Sequence, residues 1–147
     1  MLVLNLWVLL LVVAVLNGYV REVHVAPYFG EWAAQWYGVV VVCGVIWLAA
    51  AYYARGTRGA RWGRWAAIAA VLWVVLTVGF EFLFGHYVQG APWNELLAAY
   101  AIWNGKLWPL VPLTEAISPI VMGSWANRAH SGESQSNNTE PKYSGEG

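Results

Sequence analysis

Two acidic residues stand within long apolar stretches of the sequence, where a charged side chain is costly. Glu81 lies between two phenylalanines near the end of one stretch, and Glu115 lies near the middle of another. Pro119 has no N–H to donate to the carbonyl group of Glu115, so a kink there would place a free carbonyl beside a carboxyl. Ionisable groups inside a bilayer commonly mark ion or proton pathways. Transport is therefore one interpretation of Glu115, and a hydrogen-bonded structural acid is the other.

A second set of polar residues falls near the ends of the apolar stretches, on what the topology below makes the outer side. The set comprises Arg21, Glu22, His24, Glu31, Glu81, His86, Asn104 and Lys106. In one interpretation Arg21 or Lys106 forms an ion pair with Glu81 that pins helix ends together. In the other, Glu81 with Arg21, His86 and Lys106 forms an outward-facing pocket that binds a ligand or moves a proton. Nothing in the spacing selects a reaction, so no catalytic residue is assigned.

Two of the histidines invite a cofactor hypothesis. His24 and His86 are conceivable axial ligands of a haem, since they fall at similar predicted depth on different helices. Two histidines at a loop and a helix edge do not give a spacing typical of such a site. We therefore predict no cofactor and no metal.

The composition excludes several classes of function. Of the 147 residues 59% are hydrophobic and 11% are charged, against about 45–50% and 25% in soluble globular chains. A soluble protein of this size has too little interior for that much apolar surface, which predicts an integral membrane protein. Eight basic residues balance eight acidic ones, so no electrostatic footprint for nucleic acid is present. The single cysteine, Cys43, excludes an intrachain disulfide and a Cys/His zinc site.

Four apolar stretches predict the fold. Each has about 18–20 residues, enough to cross a hydrocarbon core of about 30 Å as a helix. They run over residues 2–20, 37–54 (with an early start at Glu31 as the alternative), 65–84 and 107–126. The first lacks the preceding basic residue and the small-x-small cleavage pattern of a signal peptide, so we expect a retained helix. The sequence thus predicts one all-α membrane domain, residues 1–128, with four transmembrane helices.

The basic residues predict the orientation of the chain. Arg55, Arg58, Arg61 and Arg64 form a cluster between the second and third stretches. With Arg128 and Lys142 they place six basic residues on one side of the membrane, against Arg21 and Lys106 on the other. The positive-inside rule then makes the arginine cluster and both termini cytoplasmic, in the bacterial cytoplasmic membrane. We interpret the cluster as a topology anchor that touches anionic headgroups, rather than as a nucleic-acid or regulatory site.

Two further segments lie outside the four stretches. Residues 92–104 place apolar side chains three and four positions apart between Pro92 and Gly105, which predicts a short amphipathic helix in the outer interface. A re-entrant element covering the helix ends is the alternative. Residues 129–147 are rich in Ser, Gly, Asn and Glu and lack periodicity, which predicts a disordered polar tail.

Small residues indicate where helices approach one another. Ala50 and Ala54, and likewise Ala66 and Ala70, are four positions apart and allow close helix packing. They serve either the folding of one chain or contact with a partner, such as a second copy or another membrane protein.

The run Glu81-Phe82-Leu83-Phe84-Gly85-His86-Tyr87 belongs to a wider pattern. It is preceded by Asn17-Gly18, Arg21-Glu22, Pro27 and Gly30-Glu31, and followed by Trp93, Leu96, Leu97, Tyr100 and the run Asn104-Gly105-Lys106-Leu107-Trp108. Over residues 17–120 the chain resembles a family of small four-helix proteins of the bacterial inner membrane. The resemblance implies fold and location, and no activity. Glu115 and the polar tail are not part of the pattern.

These observations favour a small, non-enzymatic membrane protein that binds, or supports the passage of, a ligand or a protein partner. The alternative is a proton-coupled transporter or an outer-leaflet enzyme built on Glu81 with Arg21, His86 and Lys106.

Overall fold

The computed structural model describes residues 1–59, 61–101 and 105–139, and all regular structure within them is helical. Helix α1 spans Leu2–Val20 and continues through a π-helical turn, Arg21–Val25, into α2, Ala26–Gly56. Helix α3 spans Trp62–Tyr87, α4 spans Trp93–Ala98 and α5 spans Leu110–Thr139. The all-α class predicted from the sequence is confirmed.

The chain reverses at Gly30 without a loop. Gly30 has φ 81° and ψ 165°, the one non-helical conformation inside α2. On either side the helices run antiparallel, since the Asn17 side-chain amide donates to the carbonyl oxygen of Gly38 at 3.0 Å and Leu2 lies beside Gly56. The predicted connection between the first two apolar stretches is therefore helical, and the second arm begins at Glu31, the early start that the sequence left open. Glycine adopts this backbone conformation readily, whereas a residue with a Cβ would be strained in it, so one glycine allows the chain to reverse here.

Helices α3 and α5 complete an up-down-up-down arrangement. The N–H of Gly59 donates to the Asn127 side-chain oxygen at 3.3 Å, so the α2–α3 connection and the distal part of α5 lie at the same end as Leu2. The core is centred on fully buried Trp73, Ile46 and Ala50. Helices α3 and α5 approach so closely that a Cβ at Gly123 would come within 2.9 Å of the Trp62 ring.

The small residues singled out in the sequence pack within the chain. Ala50, Ala54, Ala66 and Ala70 are all buried, with at most 5% of each residue exposed. Their first predicted role, in the folding of one chain, is the one the structure displays.

Two helical stretches are long and apolar enough to cross a membrane, Leu2–Gly56 and Trp62–Tyr87. Since Leu2–Gly56 reverses at Gly30, each of its arms is about 40 Å long at 1.5 Å per residue. As far as it is described, α5 does not reach the same hydropathy, because Glu115, two prolines and several polar residues interrupt its apolar run.

Two predicted boundaries differ from the structure. Helix α4 ends at Ala98, not at residue 104, because the chain then tightens into turns in which the N–H groups of Tyr100 and Ala101 bond three residues back. Helix α5 continues to Thr139, where the composition predicted a disordered tail from residue 129. No proline falls between Pro119 and Pro141, so no missing N–H stops the helix at that point.

Replacing Gly30 by alanine should destabilise the protein by about 1–3 kcal/mol, because a Cβ strains this backbone conformation. Gly44→Ala is the matched control, since Gly44 is helical and a Cβ there meets open space; it should be neutral or slightly stabilising. Thermal unfolding in detergent measures both variants. Equal melting temperatures for the two would contradict the reversal at Gly30.

Candidate functional site

A cavity of about 630 Å³ separates α1 from α3 over the half of the bundle nearest Gly30. At the opposite end the two helices are joined by two indole hydrogen bonds: Trp73 Nε1 donates to the Val3 carbonyl oxygen at 3.0 Å, and Trp7 Nε1 donates to Thr77 Oγ1 at 3.1 Å. Beyond Trp7 the lining begins with Leu10 and continues along α1. The cavity is thus the space left where α1 packs on α2 and no longer contacts α3.

A chain of hydrogen bonds from three helices forms the floor of the cavity. Thr77 accepts the Trp7 indole N–H and donates its own hydroxyl proton to Glu115 Oε1 at 2.8 Å. One threonine therefore orients the α5 carboxyl and ties α1, α3 and α5 together at a single point. The carboxyl is deeply placed, with only 2% of Glu115 exposed.

Two polar groups are incompletely satisfied here: the Glu115 carboxyl at the floor, and the Ser118 hydroxyl one turn further along α5, outside the lining. Glu115 Oε2 and Ser118 Oγ are buried and have no hydrogen-bond partner among the described residues. Pro119 also deprives the Glu115 carbonyl of its usual helical donor. Buried polar atoms in folded proteins are nearly always paired, so unpaired ones indicate a ligand, an ion or a proton. The acid near the middle of the fourth apolar stretch thus lines a cavity, and one of its oxygens has no hydrogen-bond partner among the described residues.

The second acid lies at the roof of the same cavity. Glu81 is half-buried and its carboxyl accepts the Tyr100 hydroxyl. Burial raises the pKa of Tyr100 above its ordinary value, and the neighbouring Glu81 adds to the effect, so the phenol keeps the proton that it donates. The Trp108 indole N–H is also buried near this carboxyl, but its distance and angle do not meet those of a hydrogen bond.

The residues of the run 81–87 form one interface with the segment 91–101. The Phe82 ring stacks on Trp93 and Tyr100, with centroids 6.2 and 5.8 Å apart. Gly85 is buried under Leu96, which a Cβ would approach to 2.6 Å. The sequence pattern thus corresponds to the surface of α3 on which α4 packs. The segment 91–101 also closes the cavity from above, through Leu96, Ala99 and Tyr100.

The predicted ion pair of Glu81 with Arg21 or Lys106 is wrong. Among the described residues the one ion pair joins Arg21 to the adjacent Glu22 at 2.5 Å, and Tyr100 is the partner of Glu81. A neutral phenol replaces a cation here because the α4 segment places Tyr100 over the acid. Arg21 and Glu22 nevertheless line the exposed mouth of the cavity that contains Glu81.

Of the other polar candidates, four do not line the cavity: His24, Glu31, His86 and Lys106. His86 Nδ1 bonds the Ala91 carbonyl oxygen at 3.0 Å, and its ring stacks on Trp93 at 4.2 Å, so it fixes the chain after α3. His24 is exposed and packs edge-on against Tyr19, so the two histidines have different partners. Glu31 and Lys106 are exposed, and Asn104 lies outside the described residues.

The arginine cluster lies at the opposite end of the bundle. Arg55, Arg58, Arg61 and Arg64 are all exposed. Arg58 and Arg61 border a shallow cleft of about 720 Å³ with Trp62 and Trp65. Exposed guanidinium groups beside indole rings suit contact with anionic headgroups, the role predicted from the sequence.

Sequence reasoning missed the residues that orient the two acids. Thr77 is not among the candidates that the sequence indicated, and Tyr100 appears only in the pattern that follows the run 81–87. A signal existed for Thr77, because a lone hydroxyl in a transmembrane stretch that also holds an acid commonly forms a hydrogen bond between helices. No local pattern points to Tyr100, since its contact with Glu81 depends on the turn after α4.

Comparisons of the chain with protein-family models, with curated proteins and with solved structures found no match.

Thr77→Val should destabilise the protein by about 1–3 kcal/mol, because it removes the hydroxyl that serves both the Trp7 indole and the Glu115 carboxyl. Thr114→Val is the matched control. The Thr114 hydroxyl bonds the Leu110 carbonyl one turn back at 2.7 Å and a cysteine sulfur, so its loss should cost less than about 0.5 kcal/mol. Thermal unfolding measures the loss of stability in both variants. Equal losses of stability would contradict the role of Thr77 as the junction of three helices.

Proposed function

We propose that the chain is a four-span protein of the bacterial cytoplasmic membrane, with both termini in the cytoplasm, and that it holds an amphiphilic ligand in the cavity between α1 and α3. The observation that carries the proposal is the joint presence of an apolar cavity, open at one end, and a deeply buried carboxyl at its floor. A cavity of this size is typical of sites for drug-sized molecules.

The exposed side chains support a lipid environment. Val40, Leu48 and Val71, on two different helices, are each 59–72% exposed. In water such surfaces would be a large aggregation hazard, whereas in a bilayer they face acyl chains. Helix α5 lies between α2 and α3 and carries the buried acid on its inner face, which allows a fourth crossing despite its lower hydropathy.

Proton-coupled transport is the second candidate. The observation that favours it is the placement of Glu81 and Glu115 in one cavity, near enough to act on each other electrostatically. Two carboxyls that share a cavity with a ligand can exchange protons for it. An outer-leaflet enzyme has less support, because neither His86 nor Lys106 lines the cavity.

The proposed topology predicts the location of three reporters. A reporter fused after Arg58 and one fused at the C-terminus should both read as cytoplasmic, and one inserted after Gln89 should read as periplasmic. The dual alkaline phosphatase and green fluorescent protein assay gives opposite signals for the two sides. A periplasmic signal after Arg58 would overturn the orientation, and opposite signals at Arg58 and the C-terminus would overturn the four spans.

Filling the cavity should weaken ligand binding strongly. We expect Ala14→Trp to weaken saturable binding of radiolabelled 1,1,1-triphenylethane, a neutral apolar probe, by about tenfold or more in detergent. Val12→Trp is the matched control, because it adds the same side chain to the exposed face of the same helix. Binding corrected against empty micelles, with size-exclusion profiles as the check of folding, measures both. Unchanged binding by a folded Ala14→Trp protein would refute the cavity as the site.

A further inference from the structure

The charges of the cavity are unbalanced. Three carboxyl side chains line it, those of Glu22, Glu81 and Glu115, together with one basic side chain among the described residues, that of Arg21. Arg21 is already paired with Glu22 at the mouth. As far as the structure describes the chain, the interior therefore contains two acids and no basic group, which favours a positively charged occupant.

Glu115 is the acid with capacity for a ligand. Glu81 accepts the Tyr100 hydroxyl and is half-buried. Glu115 is 2% exposed, and no described residue donates to its Oε2. A carboxylate at that depth needs a proton or a countercharge. A cation that enters the cavity supplies the countercharge that the chain itself does not.

The walls suit an organic cation better than a bare metal ion. Aromatic rings line the cavity between its mouth and Glu115, namely Phe80, Phe82, Phe84, Tyr100 and Trp108, among aliphatic side chains from α1 and α2. Phe80 stacks on Phe84, and Phe82 stacks on Trp93 and Tyr100, so these rings form an apolar wall. Such a wall accommodates the apolar substituents of an organic cation, while the two carboxyls attract its positive charge. A small hydrated ion would find few oxygen ligands in such a space.

We infer that the cavity binds lipophilic organic monocations, with the apolar substituents between α1 and α3 and the positive centre near the Glu115 carboxyl. The inference rests on the proposed function, since it needs a cavity that admits a ligand, and it adds the chemical class of that ligand. Protons and the organic cation compete for the same carboxyl, so each is released when the other binds.

Several ionisable groups surround Glu115, and of these we expect only the two cavity acids, Glu81 and Glu115, to exchange protons when the cation binds. The surrounding groups are Glu81 on α3, Tyr100 before α5, Cys43 on α2 beside Thr114, and Tyr19, Arg21 and Glu22 at the mouth. Tyr100 keeps its proton, and Arg21 is paired with Glu22. Acidification should therefore weaken cation binding by neutralising the acids, and it should not affect a neutral ligand.

Three isosteric probes of different charge test the inference on the full-length protein in detergent. They are methyltriphenylphosphonium, neutral 1,1,1-triphenylethane and the methyltriphenylborate anion. We expect the phosphonium to bind at least about tenfold more tightly than the neutral probe, and the borate to bind most weakly. Binding of the phosphonium, and of it alone, should weaken as the pH is lowered.

Variants locate the positive centre. Glu115→Gln keeps the shape of the side chain and should reduce phosphonium affinity about tenfold, with little effect on the neutral probe. Glu31→Gln is the matched control, since Glu31 is exposed and lies outside the lining. Should Glu115→Gln fail to fold, the comparison of probes and its pH dependence on the wild-type protein still decide the ligand class.

Each adverse result points to a different failure. Equal affinity for the phosphonium and the neutral probe would overturn the cation inference and leave the proposed cavity function intact. No saturable binding of any probe would overturn both. Loss of phosphonium binding in Glu81→Gln but not in Glu115→Gln would overturn the placement of the positive centre at Glu115. Displacement of the phosphonium by millimolar Na⁺ would overturn the organic nature of the cation.

Discussion

The hydrogen bonds of the Thr77 hydroxyl set the relation of three helices. Through this one group α3 accepts a hydrogen bond from the Trp7 indole of α1 and donates a hydrogen bond to the Glu115 carboxyl of α5. In a bilayer, where burial of apolar surface does not drive helices together, such bonds and close packing determine which helices meet. The junction also divides the bundle. Towards the arginine cluster the helices are tightly packed around Trp73, and towards Gly30 they diverge to enclose the cavity.

Helix α1 diverges from α3 because its second half packs closely on α2. Its outer half packs on α2, where Gly38 lacks the Cβ that would come within 3.2 Å of the Arg21 side chain and within 3.5 Å of Asn17. The close approach at Gly38 and the tight reversal at Gly30 draw this half of α1 towards α2 and away from α3. The segment that carries α4 then covers the opening from above, because Gly85 lets Leu96 lie directly on α3. Three glycines, each for a different steric reason, thus shape the cavity.

Hydropathy predicted the long helices, and the spacing of small residues predicted where they pack closely, because both depend on residue type along the chain. The four buried alanines and the helical run through residue 54 follow directly from such patterns. The site was less predictable, since its contacts join distant residues. Glu81 and Glu115 were recognised as candidates, yet the partner of Glu81 was sought among the basic residues. Tyr100 takes that place because of a turn geometry that no periodicity reveals, and His86, a candidate for proton transfer, instead fixes the chain after α3.

The state of Glu115 distinguishes a structural acid from a ligand-binding one. A carboxyl that only stabilises a bundle gains most when both oxygens accept hydrogen bonds, because each unpaired buried oxygen carries a desolvation cost of about 1–3 kcal/mol. Glu115 has one donor, on Oε1, and Ser118 one turn further along α5 is buried without a partner. The bond from Thr77 accounts for one oxygen of this carboxyl, whereas Oε2 and the Ser118 hydroxyl need another explanation. A cavity that ends at this acid, lined with aromatic rings and without a basic group in its interior among the described residues, supplies that explanation for Oε2.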